Sequence, residues 1–157
     1  MPENKFEEGW RQTHLGRLLA SASERFEARV LALMARNDAL GLALAHLAAR
    51  GKLTASHIQI TRHLPLSGCS LTELAAHAGV TKQAMGKLVD QCAAWDLVLR
   101  TPAPRDARSI RVVFTPGGFH WLTAYQEAVQ QAEAEFGSAV GSEVATVVHL
   151  GLEAYIA

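Results

Sequence analysis

Two groups of side chains in this 157-residue chain are of kinds, and at spacings, that could do chemistry. The first begins Thr81-Lys82-Gln83, continues at Lys87 and Arg100, and ends in Arg105-Asp106-Ala107-Arg108. Gln can pair bidentately with adenine, Lys with guanine or phosphate, and a Thr methyl with thymine. An extended basic loop beside such residues suits phosphate or minor-groove contacts. The second group is Trp10, Arg11, His14 and Arg17, with His57 on a later segment. An indole, guanidiniums and imidazoles converging on a cleft would suit an aromatic carboxylate. The plainer alternative, slightly favoured, has Arg11 and Arg17 solvated and Trp10 in a contact between chains.

The first group needs two helices and a hairpin to position it. Ser70 can cap a helix, and Glu73, three residues on, completes a capping box. Leu71, Leu74, Ala75 and Ala78 share one face of that helix. Gly79 suits the left-handed turn that ends it, and Thr81 can cap the next helix. There Val80, Ala84, Leu88 and Cys92 are expected inward, joined by Met85 and Val89, while Thr81, Lys82, Gln83, Gly86, Lys87 and Asp90 face out. Gly86 costs about 1 kcal/mol relative to Ala in a helix interior, a cost that close approach of DNA or of a neighbouring helix would explain. Leu97-Val98-Leu99-Arg100 reads as a strand, Pro102 to Arg108 as a polar loop, and Ile110 to Phe114 as a second strand. The outline is helix, turn, helix and a two-stranded hairpin with a basic tip, the plan of a winged helix-turn-helix.

Helical arms flank this lobe. Residues 1 to 9 read as a loose tail. Leu15, Leu19, Ala22, Phe26, Val30 and Leu33 give one seam along a helix from Trp10 to Met34. Ala39 to Arg50 reads as a short buried helix, and Thr54 caps another that Pro65 stops. Thr115 as cap and Pro116 as first residue open a helix to about Phe136, with Phe119, Leu122, Val129 and Ala132 on its apolar face. Gly137 to Gly141 forms a joint before a last helix marked by Val140, Val144, Val147, Val148, Leu152 and Ile156. A small lobe cannot bury both end seams alone, so the first and last helices are expected to pack against a second copy about a two-fold axis. The division is then 10–50 for the N-terminal arm, 53–115 for the winged lobe and 116–157 for the C-terminal dimerisation helices, within a single mainly α domain.

Charge follows the same division. The chain carries 15 basic and 15 acidic residues. Residues 62–111 hold seven Lys and Arg against four acids, a net +3, while residues 116–157 hold five Glu and no Lys or Arg. The local field, not the sum, governs attraction to a polyanion. No apolar run is long enough to span a membrane, no signal peptide is apparent, and Cys69 and Cys92 are too few for a disulfide framework, which points to the cytoplasm.

From Leu53-Thr54 to Thr115-Pro116-Gly117-Gly118 the chain resembles the MarR family of bacterial regulators. The matching parts are Leu71-Thr72-Glu73-Leu74-Ala75, Val80-Thr81-Lys82, Leu97-Val98-Leu99-Arg100, Asp106-Ala107-Arg108 and Phe114-Thr115-Pro116-Gly117. The resemblance implies that Arg108 is a minor-groove arginine with Asp106 as its orienting partner. It further implies a homodimer on a pseudo-palindromic operator, released by a small aromatic acid or phenol bound between arms and lobe. A repressor is expected rather than an activator, because a compact dimer lodged over a promoter needs no further contact to block polymerase. Asp96 stands where such proteins usually carry Gly; Asp tolerates the left-handed conformation better than most residues. Trp95 beside it has no evident role. The alternatives are a winged-helix protein-interaction module without DNA binding, or a metal- or redox-sensing regulator on the same fold. No nucleophile elbow, phosphate-binding loop or His-Glu-x-x-His occurs, so neither an enzyme nor a cofactor is expected. The seven His are scattered, Cys92 reads as core, and Cys69 reads as a loop residue without a basic activator.

Overall fold

The computed structural model describes residues 8–37 and 54–157. The tail before Glu8, the expected helix over Ala39–Arg50 and its connection through Leu53 lie outside them. The described elements are α1 (Glu8–Thr13), α2 (Leu15–Met34), α3 (Ala55–His63), β1 (Cys69–Ser70), α4 (Leu71–Ala78), α5 (Lys82–Ala94), β2 (Val98–Ala103), β3 (Asp106–Phe114), α6 (Pro116–Val140) and α7 (Ser142–Ile156).

Local capping fixes most of the boundaries. The Ser70 hydroxyl accepts from the Glu73 amide at 3.2 Å, and the Glu73 carboxylate accepts from the Ser70 amide at 2.8 Å. These bonds hold the Glu73 carboxyl below its usual range. Gly79 ends α4 at φ 66, a conformation glycine adopts without strain. Thr81 caps α5 through the Ala84 amide at 3.1 Å, and Thr115 caps α6 through the Gly118 amide at 2.9 Å. Asp96 takes the left-handed conformation (φ 57), as the turn before β2 requires.

Four expectations are corrected. The helix expected from Trp10 to Met34 is broken at His14, whose extended backbone (ψ 150) lets its own Nδ1 accept from the Arg17 amide and start α2. The polar loop shrinks to Pro104-Arg105, because β2 and β3 pair out to Ala103 and Asp106, with an irregularity at Pro102/Ala103. Cys69 is not in a loop: it pairs with Val112, so the sheet has three strands, ordered β1-β3-β2 and antiparallel throughout. The joint between the last helices narrows to Gly141 (φ 94), α6 running through Gly137 to Val140.

The helix faces are also rotated from the expected register. On α5 the buried stripe is Met85, Val89 and Cys92, while Val80 and Ala84 are exposed and Leu88 half-buried. On α6 it is Trp121, Ala124, Ala128 and Ala132, with Phe119 exposed. Small side chains win on α6 because they let it lie close against α2, which it packs along. Of the expected seam on α2, only Val30 is buried, joined by Met34; Leu15 stays exposed. One apolar cluster runs from Val30 and Met34 through Trp121 into the lobe at Leu74, Met85, Val89, Leu97 and Val112. Each fully buried large side chain there contributes about 1.5–3 kcal/mol. On the outside of the same contact, the Arg29 guanidinium grips Glu135 at 2.6 and 2.7 Å and holds its carboxyl down to about 2.

Lobe and arm meet at a close-packed knuckle. The Thr115 amide donates to the Leu97 carbonyl at 3.1 Å, and the Thr115 hydroxyl to the Asp96 carbonyl. A Cβ on Gly118 would lie 2.0 Å from the Leu97 carbonyl oxygen, so only glycine fits. The start of α6 is thereby seated on the chain as it leaves α5. By contrast, α6 is the main packing partner of α7 among the described residues, and Val144, Val147, Val148, Leu150, Leu152, Tyr155 and Ile156 are all exposed. No described helix is long and apolar enough to cross a membrane.

Candidate nucleic-acid interface

The start of α5 projects from the lobe. Thr81, Lys82, Gln83 and Lys87 are exposed, and Lys82, Gln83 and Lys87 make no side-chain hydrogen bond or ion pair among the described residues. Among the described residues of the lobe, a helix start, two free ammonium groups and a free amide lie within two turns only here. The N-terminal amides and the lysines make it attractive to phosphate. Arg105 is also exposed, at the turn between β2 and β3. The side chains of Asp106 and Arg108 lie outside the described residues, although their backbone belongs to β3.

Arg100 is placed differently from its neighbours in this group. Its Nη2 lies 2.7 Å from an Asp90 carboxylate oxygen and donates to the Gly86 carbonyl at 3.2 Å. Its guanidinium is therefore turned onto α5 rather than away from it. Asp90 and Gly86 were readable as outward residues one helical turn apart, but not as ligands of a side chain on the next strand. Gly86 itself is not crowded: a Cβ there would meet nothing nearer than 3.9 Å. A neighbouring helix does not explain this glycine.

The second group divides in two. Trp10, Arg11, His14, Arg17, Ser21 and Glu24 are among the residues lining an open hollow of about 640 Å³ along α1 and α2. The Trp10 and His14 rings are 5.7 Å apart. His57 is not part of that hollow. It is buried in the lobe, where its Nδ1 accepts from the Thr54 amide at 2.9 Å and its Nε2 meets Gln91 Oε1 at 2.8 Å. The amide donor fixes the Nε2–H tautomer, so the imidazole donates to Gln91. Trp95, which sequence alone did not place, packs its ring on His57 at 4.8 Å. His57 is thus a strut from α3 to α5.

A second, apolar hollow of about 480 Å³ flanks α5, lined by Gln59, Ala78, Val80, Ala84 and Leu88 among others. Among the described residues no three His, Cys, Asp or Glu side chains gather as a metal site would need. Burial pushes the Cys92 thiol up to about 12 and raises that of Cys69. Both are then poor nucleophiles at neutral pH.

Residues 58–109, from α3 through the tip of the hairpin, match the family model described as the MarR family. Over these residues, about a third of its length, the chain is similar to the MarR family. A comparison with curated proteins gave no match. Several solved structures share the MarR fold over nearly the whole chain. The transcriptional repressor CouR, solved bound to a 23-mer DNA duplex, is 21% identical with TM-score 0.68, the match covering 98% of this chain and 99% of that one. BpsR of Bordetella bronchiseptica, solved in a study of how 6-hydroxynicotinic acid regulates its DNA binding, is 20% identical with TM-score 0.63, over 93% and 96%. The Mycobacterium tuberculosis MarR family protein Rv2887, in complex with p-aminosalicylic acid, is 23% identical with TM-score 0.65, over 92% and 100%. At such identities the likeness carries the fold.

Proposed function

We propose that this protein is a MarR-family regulator, a cytoplasmic homodimer that binds a pseudo-palindromic operator and represses until a small aromatic acid releases it. The observation that carries the DNA-binding part is the exposed, unpartnered start of α5 beside the β2–β3 wing. Thr81, Lys82, Gln83 and Lys87 enter a major groove; Gln83 and Lys82 have the donors to read bases or hold phosphate. Arg105 and Arg108 extend the contact through the wing, with Asp106 orienting Arg108. CouR, solved on DNA, supports the same use of the fold. In a two-fold dimer the two α5 helices must lie about 34 Å apart to enter successive grooves. The apolar face of α7 is the surface such a dimer would cover. A dimer seated across a promoter needs no further contact to block polymerase, which favours repression.

The effector reading rests on the hollow at Trp10, Arg11, His14 and Arg17. Two guanidiniums and an indole there suit an aromatic carboxylate, and Glu24 on the same wall would select for one that also donates a hydrogen bond. Rv2887 and BpsR, associated with p-aminosalicylic and 6-hydroxynicotinic acids, support the class. A ligand shifts operator affinity only if it binds the two dimer states differently.

The test is a mobility shift on the duplex upstream of the protein's own gene, with and without salicylate or nicotinate. A shift that these acids weaken is expected. Lys82→Ala should lower the salt slope of binding by about 0.9 if Lys82 touches phosphate alone, and His14→Ala should blunt the acid response while sparing DNA affinity. Absence of any shift, with no retention on heparin, would leave the interaction-module alternative.

A further inference from the structure

We infer that Arg100 is a positioning residue that clamps the reading helix to the wing, with Asp90 as its counter-charge. This rests on the DNA-reading function proposed above and deepens it. Lys82, Gly86 and Asp90 fall at intervals of four residues, one stripe along α5. Arg100 stands on β2, paired with Val112 of β3, and so belongs to the wing. Its guanidinium crosses from wing to helix and bonds at two successive turns, Gly86 and Asp90.

Three features fit a clamp better than a DNA contact. First, the same nitrogen serves both partners, so the guanidinium is aimed at the Gly86 carbonyl and the Asp90 carboxylate together. Second, Asp90 would otherwise be an unpaired carboxylate on a helix that must approach phosphates, which repel it. Third, Lys82, Gln83 and Lys87 on the outward face of α5 have no such partner among the described residues. Nε and Nη1 of Arg100 bond to nothing among the described residues, so a phosphate could in principle share the guanidinium. The salt dependence of binding separates the two roles, because a phosphate contact releases counterions and an internal clamp does not.

The clamp sets the angle between reading helix and wing. It should therefore matter to binding of the specific duplex, where both must register at once, and little to non-specific DNA. The experiment measures affinity by fluorescence anisotropy at several salt concentrations. Two duplexes are used, one from the protein's own upstream region and a scrambled one of equal length. Arg100→Gln should weaken the specific complex about tenfold, the combined effect of one exposed ion pair and one hydrogen bond. It should leave the scrambled complex and the salt slope unchanged. Asp90→Asn should also weaken the specific complex, although it removes a negative charge from a DNA-facing helix. The double variant should be no worse than either single one, and Arg100→Lys should retain more affinity than Arg100→Gln.

Tighter binding of both duplexes by Asp90→Asn would overturn the clamp, as would a salt slope lowered by about 0.9 in Arg100→Gln. Circular dichroism melting checks each variant. If Arg100→Gln does not fold, Asp90→Asn, at an exposed carboxylate, still decides. Should the parent protein fail to discriminate the two duplexes, the DNA-reading function itself falls, and the clamp with it.

Discussion

The winged lobe and the last helix treat their apolar residues in opposite ways. Within the lobe, Leu74, Met85, Val89, Leu97, Val98 and Val112 have no exposed surface at all. On α7, Val147 is 69% exposed, and Tyr155 and Ile156 are each 79% exposed. The lobe satisfies itself; α7 leaves its apolar face uncovered by the described residues. Contiguous apolar surface of this kind is uncommon on a solitary soluble chain and marks a binding face. The difference divides the described chain: the buried core is drawn from α2, the lobe and α6, while α7 leaves an apolar face exposed.

The largest expected effect comes from breaking the arm. Val147→Asp with Leu150→Asp places two charges at adjacent turns of the exposed face. Light scattering should show a dimer for the parent and a monomer for the variant, with operator affinity falling on the order of a hundredfold as two linked half-sites become independent. The melting of the lobe, followed through Trp121, should barely move. An unchanged assembly would mean that this face serves some other partner.

Next in size is a break at the knuckle. Gly118→Ala forces a methyl group to 2.0 Å from the Leu97 carbonyl, and should destabilise the lobe by about 3 kcal/mol. Urea unfolding would measure it. A loss under about 0.5 kcal/mol would show that α6 can slide away from the lobe.

The smallest effect concerns the tie between arms. Arg29 holds Glu135 down from its ordinary 4.5 to about 2. A carboxyl so depressed adds stability that is fully present above 4.5 and lost as pH falls towards 2. Both side chains are well exposed, so the effect is small. Melting temperature against pH should fall more steeply through this window in the parent than in Glu135→Gln. Parallel curves would show that the bond is idle in solution.

What was legible in the sequence divides by range. Ser70 with Glu73, Gly79, Thr81, Asp96 and Thr115-Pro116 all behave as read, because a cap is made within about four residues of itself. The helix faces were not legible, because they depend on what each helix packs against. The alanines of α6 could face either way until α2 is in place. The same holds for the candidate sites. Lys82, Gln83 and Lys87 are exposed on the helix as expected, since a polar helix start needs no partner to be exposed. His57 and Arg100 were read by residue type, yet each is committed to a partner 34 or 10 residues away, Gln91 and Asp90. Nothing local announces such pairs.

The glycine contact at Leu97 has a mechanical consequence. With no room for a methyl group between them, the first turn of α6 and the exit of α5 cannot rotate independently. The 25 residues of α6 form a rod about 37 Å long at 1.5 Å per residue. A tilt of about 5° at one end of such a rod moves the other by about 3 Å. A change of angle at the far end of α6 is therefore carried along the rod as a displacement of that size at the exit of α5.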